Sequence, residues 1–175
     1  MKFTVSWLRD HLDTNASIDQ ISETLTAIGL EVEEVENKSE NLQAFTVACV
    51  VEARPHPDAD RLQVCTVDTG SEILDVVCGA PNARTGMKGV YAPVGSTIPS
   101  NGMKLKAVKI RGVQSRGMLC SEREMGLSDE HEGIIELPTD APLGEPFAHV
   151  LGLDDPTIEI AITPNRQDCL GVRGI

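Results

Sequence analysis

Aromatic residues are scarce: three Phe, one Trp and one Tyr among 175 residues. A chain that gripped single strands by stacking bases on rings would be expected to carry more such platforms. Also missing is any run near the roughly 20 apolar residues that span a bilayer. The first apolar residues, Phe3, Val5, Trp7 and Leu8, are interrupted by Thr4, Ser6, Arg9 and Asp10, so the beginning does not read as a secretory signal. The expected location is therefore the cytoplasm, with no membrane partner. The five cysteines, Cys49, Cys65, Cys78, Cys120 and Cys169, form an odd set without a C-x-x-C pair. That argues against a disulfide framework and against a zinc site, and leaves reduced thiols packed as small hydrophobes.

What is present is an uneven charge distribution. The net charge is -12, which would repel a polyanion as a whole. From Arg84 to Ser121, however, there are seven basic residues (Arg84, Lys88, Lys104, Lys106, Lys109, Arg111, Arg116) and no Asp or Glu. The rest of the chain holds eight basic against 27 acidic residues, a net of -19. A basic island in an acidic chain points to a localised anion-binding face if its side chains converge, and to ordinary solvated surface if they do not.

With 41% hydrophobic and 24% charged residues, the chain can form one large or two small cores. Ser17-Ile18-Asp19-Gln20 is a capping box, and Ile18, Ile21, Leu25 and Ile28 follow at helical spacing until Gly29, which predicts one helix of three turns. Glu31–Glu36 predicts a solvent-facing strand before the polar run 37–41. Short β-branched runs then follow at Phe45–Glu52, Leu62–Asp68, Ile73–Cys78, Gly89–Pro93, Ala107–Val113, Gly117–Ser121 and Gly133–Leu137, separated by Gly, Pro and Asn turns. They predict a small antiparallel barrel or sandwich. A short helix near Pro146–Leu151 and a strand over Thr157–Thr163 complete the pattern. Neither flank could bury a core alone, so the two flanks are expected to pack together with the β module inserted between them. Residues 166–175 have no terminating feature, and the natural polypeptide is expected to continue.

Several clusters admit a chemical reading. His56, Asp58 and Asp60 could hold a metal, yet each also suits the rigid loop Arg54–Leu62. Cys78 or Cys120 could pair with His56 as a nucleophile, without a local signature that marks one. Asp129-Glu130-His131-Glu132 lacks the Ca²⁺-loop pattern and reads as a solvated loop.

Three strings taken together are more specific: His56-Pro57-Asp58-Ala59-Asp60-Arg61-Leu62, Val77-Cys78-Gly79-Ala80-Pro81-Asn82, and Arg111-Gly112-Val113-Gln114-Ser115-Arg116-Gly117-Met118-Leu119-Cys120-Ser121. They resemble the tRNA-binding domain of oligonucleotide/oligosaccharide-binding (OB) type found in free-standing tRNA-binding proteins and in some aminoacyl-tRNA synthetases. Met1–Leu8, Ile162–Cys169 and the stretch Ser121–Pro138 resemble one member of that set, the β-subunit family of bacterial phenylalanyl-tRNA synthetases. The likeness spans essentially the whole chain. Gln167 and Gly171 depart from the family, which usually has Pro and Ser there.

The resemblance implies an α+β chain with an antiparallel five-stranded OB-fold β-barrel, residues 40–147, inserted into a small split α+β domain, residues 1–39 plus 148–175. It implies a tRNA-binding and assembly segment with no catalytic residue and no cofactor of its own. The parent ligase would use ATP and Mg²⁺, with aminoacylation on the α subunit, and with the editing site and the anticodon-contacting domain beyond Ile175. The implied partners are phenylalanine tRNA, the α subunit and the remainder of the β subunit. A pure scaffold, or a generic free-standing tRNA-binding protein, is the alternative. The expected phosphate contacts are Lys104, Lys106, Lys109, Arg111 and Arg116. Asn82 and Ser115 would either contact ribose or close loops by hydrogen bonds. Gly79, Gly112 and Gly117 are expected to allow tight turns, and Met118 and Leu119 to fill the barrel.

Overall fold

The computed structural model describes residues Met1–Ile175. In chain order the elements are β1 (Lys2–Thr4), α1 (Val5–Arg9), α2 (Ile18–Ala27), β2 (Val32–Glu36), β3 (Thr46–His56), β4 (Ala59–Asp68), β5 (Ile73–Cys78), β6 (Lys88–Ala92), β7 (Val108–Ile110), β8 (Val113–Ser115), β9 (Met118–Leu119), β10 (Glu136–Leu137), α3 (Phe147–Val150) and β11 (Thr157–Ile160), followed by a 3₁₀ turn at Gln167–Cys169. They divide into two compact units, one of Met1–Glu40 with Gly152–Ile175 and one of Asn41–Leu151.

In the first unit, α2 begins as its sequence dictates. Ser17 Oγ accepts from the Gln20 amide (3.2 Å) and Gln20 Oε1 accepts from the Ser17 amide (3.0 Å). Gly29 takes φ +87°, a left-handed turn that suits glycine, and stops the helix. Ile21 and Leu25 are buried from α2, while Ile158 and Ile160 are buried from β11, the centre of the antiparallel sheet β1-β11-β2. The alternation seen in Thr157–Thr163 is real, but the strand ends at Ile160. A bulge follows Glu159, the Ala161 amide turns to the Glu31 carbonyl (2.8 Å), and Pro164 lies just ahead. The five residues of α1 are too few to show a period, and Thr4 caps them by accepting from the Trp7 amide (3.3 Å).

The second unit is the antiparallel β module. Its ladder runs β10-β6-β3-β4-β5, with β9 on the same edge of β6 as β10. Cys65 and Val67 of β4 and Leu74, Val76 and Cys78 of β5 point into one core with Ala48, Val50, Met87, Tyr91 and Leu119. The α+β, OB-type character matches expectation, but the ladder has six strands and does not close into a five-stranded barrel. On the outer edge of β5 the contacts are one backbone bond, from the Arg116 amide to the Asp75 carbonyl (3.0 Å), and one side-chain bond, from the Val77 amide to Ser115 Oγ (3.0 Å). A hydroxyl there takes the place of a strand partner.

Two local expectations change. The stretch from Arg54 is no loop: β3 continues to His56 and β4 starts at Ala59, leaving only residues 57–58 to turn. Pro55, which cannot donate to a ladder, sits where the register shifts. The single strand expected over Ala107–Val113 folds back on itself as β7 and β8. Arg111 (φ +43°) and Gly112 (φ +92°) form a two-residue turn with both φ values positive, as a type I′ hairpin requires.

Candidate nucleic-acid interface

The basic island separates into two cations spent within the module and five that stay exposed. Arg84 pairs with Glu136, which strengthens its hold on the proton, and also donates to the Asn82 carbonyl (3.5 Å). Lys88 Nζ donates to the Ala141 carbonyl (2.6 Å) and is partly buried. These two serve the module itself. The other five are exposed.

Lys104 lies opposite Thr97 in a small hairpin that turns through Pro99–Gly102, fastened by the Gly95 amide to Leu105 carbonyl (2.9 Å) and the Leu105 amide to Ser96 carbonyl (2.8 Å). Lys106 follows it, and Lys109 is the central residue of β7. Arg111 sits at the tip of the β7–β8 ribbon and donates from Nη1 to the Asp58 carbonyl (2.8 Å). Arg116 is held at both ends of its peptide: its amide donates to Asp75, and its carbonyl accepts from Tyr91 Oη (2.8 Å).

The ribbon has a second anchor in His56, which is 5% exposed. Its Nδ1 accepts from the Asp58 amide (3.1 Å), so its Nε2 is the donor to the Ile110 carbonyl (3.1 Å). Both ring nitrogens are thereby engaged in fastening the β3–β4 turn to the ribbon. The thiols of Cys65, Cys78 and Cys120 are buried: burial pushes Cys65 up to about 11 and raises Cys78 and Cys120 as well, against what a nucleophile needs. No group of three or more His, Cys, Asp and Glu side chains is arranged to hold a metal ion.

Asn82 and Ser115 have their polar atoms engaged within the protein. Asn82 donates from Nδ2 to the Ile134 carbonyl and accepts at Oδ1 from the Ile134 amide, both at 2.9 Å. Ser115, 2% exposed, accepts from Val77 and donates to the Gly117 carbonyl (3.2 Å). Tyr91, the one ring inside the island, is buried with its hydroxyl on Arg116, and is no stacking platform.

Sequence reasoning missed the neighbours of Arg116. Thr66, Ile73, Leu74, Asp75, Gln114 and Arg116 line a concavity of about 300 Å³. Arg54 reaches it by donating to Thr66 Oγ1 (3.1 Å) and Asp75 Oδ2 (3.4 Å). Thr66 and Asp75 alternate with buried neighbours on their strands, and the cross-strand register, Thr66 opposite Asp75, brings them together.

An OB-type β sheet with exposed cations on a hairpin and a ribbon defines the class as a nucleic-acid-binding module. Residues 45–146 match the family model described as "Putative tRNA binding domain", and the chain belongs to that family. It is also similar over its whole length to the curated protein "Phenylalanine--tRNA ligase beta subunit" from three bacteria. Identity is 60% over 175 residues for Rhodospirillum rubrum, 58% over 182 for Cereibacter sphaeroides and 56% over 176 for Zymomonas mobilis. All of this chain is covered in each case, but only 22%, 23% and 22% of the relative, so the chain spans about a fifth of the length of those relatives.

Proposed function

We propose that this chain is the accessory tRNA-binding and assembly segment of a phenylalanine–tRNA ligase β subunit, itself without a catalytic centre. The two compact units serve as its domains, the OB-type unit inserted in the split α+β unit. The parent α/β enzyme would charge phenylalanine tRNA with the help of ATP and Mg²⁺ held elsewhere, in the cytoplasm. Its partners would be that tRNA, the α subunit and the rest of the β subunit. No helix here is long and apolar enough to cross a membrane.

The observation that carries the reading is the set Lys104, Lys106, Lys109, Arg111 and Arg116, exposed on a stretch without a single carboxylate. With no exposed ring in the OB-type unit to stack a base, recognition would run through the RNA backbone and be weak in sequence preference. Asn82 and Ser115 would contribute by holding the loops that present these cations.

The test is fluorescence anisotropy of labelled tRNA across a salt series. Five phosphate contacts correspond to a log–log slope of about -4, and the Lys104/Lys106/Lys109→Ala triple variant should lower its magnitude by about 2–3. Salt-independent binding, or an unchanged slope in the variant, refutes the reading. The net charge of -12 favours a second reading, a scaffold that meets the α subunit without gripping RNA. A stable complex with the α subunit together with no tRNA binding would support it.

A further inference from the structure

Arg116 differs from the other exposed cations in its setting. Its peptide is fixed from both sides, by Asp75 and by Tyr91, so its guanidinium starts from a rigid base. Gln114 and Arg116 flank the buried Ser115 and therefore share the opposite face of the strand. Beside them Asp75 is partly buried on the outer face of β5. Its Oδ1 accepts from Thr66 Oγ1 (3.0 Å) and its Oδ2 from Arg54 (3.4 Å). A carboxylate has about four lone-pair sites, so acceptor capacity remains.

The charged groups around this concavity are Arg54, Asp75 and Arg116, with Glu52 on Arg54, Asp68 opposite Ile73 across the β4–β5 pair and Glu72 next to Ile73. Arg54 also reaches Glu52 (3.4 Å) and pairs with Asp75 (3.4 Å), which partly neutralises the acceptor. The floor includes Ile73, 65% exposed, an apolar face turned to solvent at the start of a strand. Donors, a partly neutralised acceptor and an apolar floor in about 300 Å³ match the low end of small-ligand sites, about 300 Å³ upward.

We propose that this concavity seats one ribonucleotide of the tRNA backbone, with Arg116 and Gln114 on the phosphate, the sugar against Ile73, and Asp75 accepting the ribose 2′-hydroxyl. This rests on the tRNA-binding reading above and adds a chemical consequence: here the module tells RNA from DNA, because only RNA offers that hydroxyl.

The experiment compares the full chain with its Asp75→Asn, Arg116→Gln and Ile73→Glu variants. Each is titrated with labelled tRNA and with an all-deoxy molecule of the same sequence, across salt. Arg116→Gln should reduce the salt slope by about 1. Asp75→Asn should narrow the preference for RNA over DNA by about fivefold, as a charge-assisted hydrogen bond to the 2′-hydroxyl is weakened while the loss of the carboxylate charge acts on both polymers alike. Ile73→Glu, at an exposed position, should weaken tRNA binding about tenfold through an added unshielded carboxylate. Equal losses for RNA and DNA in Asp75→Asn, or an unchanged slope in Arg116→Gln, overturn the seat. If Asp75→Asn melts early, the wild-type chain still decides: equal affinity for tRNA and its all-deoxy counterpart overturns the seat. If the wild-type chain does not bind tRNA, the tRNA-binding reading itself falls, a distinct outcome from loss of the seat alone.

Discussion

Replacing Ser115 by alanine separates two roles that its position in the Arg111–Ser121 string allows. The hydroxyl lies 3.0 Å from the Val77 amide and 3.2 Å from the Gly117 carbonyl, in a residue 2% exposed. Alanine would leave both backbone groups without that partner, and the space left is too small to admit water freely. An unpaired buried backbone group costs about 1–3 kcal/mol, so the two together should cost roughly 3 kcal/mol. For a chain of this length that lowers Tm by about 6–12 °C. The assay is thermal unfolding by circular dichroism, with hydrogen exchange at the Val77 amide as the local readout, since it should lose protection. tRNA affinity per folded molecule should stay within about twofold, because the hydroxyl faces the protein. An unchanged Tm with unchanged Val77 protection, but a large loss of tRNA binding, would refute the reasoning and make Ser115 a direct RNA contact.

Asn82→Ala breaks both 2.9 Å bonds to Ile134 and should cost about 2–3 kcal/mol in chemical denaturation, again without a change in the salt slope of tRNA binding. Gly117→Ala should be worse. Its φ is +110°, and an added Cβ would lie 2.5 Å from the Ala92 carbonyl oxygen and 2.5 Å from Tyr91 Cε2, so a loss of about 3 kcal/mol or more, or insoluble protein, is expected. In alkali, Cys65, Cys78 and Cys120 stay protonated in the fold because burial raises them. The unfolded chain then binds fewer protons than the native one above the ordinary thiol range, so stability is intact below that range and falls as pH rises towards about 11. Melts from pH 7 to 11 should show this decline, and a Cys65→Ser variant should show less of it; a flat profile refutes it.

The sequence exposed some of this plainly and hid the rest for physical reasons. The capping box at Ser17 and the β-branched run Ile73–Cys78 are local signals, and the helix and strand fall where those signals put them. The turn at Arg111-Gly112 was only half visible: Gly112 marked a tight turn, but a positive φ is rarely taken by arginine, so the hairpin it makes reads as one strand in the sequence. The island's charge was visible from composition. That Lys88 is committed to Ala141 and Arg84 to Glu136 depends on contacts 52 and 53 residues apart, which no spacing rule reaches. Arg54 escaped notice for the same reason: its outward neighbours Thr66 and Asp75 become neighbours only through strand register.

The ribbon of β7 and β8 is tied to the module at its ends and edges: His56 to Ile110, Arg111 to Asp58, Ser115 to Val77 and Arg116 to Asp75. Between those ties Val108, Lys109 and Gln114 are exposed and outside the core. Substitution there can change the number and sign of charges offered to a partner without disturbing a packed residue. The ribbon is thus a replaceable cartridge on a fixed chassis, and affinity for a polyanion can be retuned at those three positions while the stability of the module stays as it is.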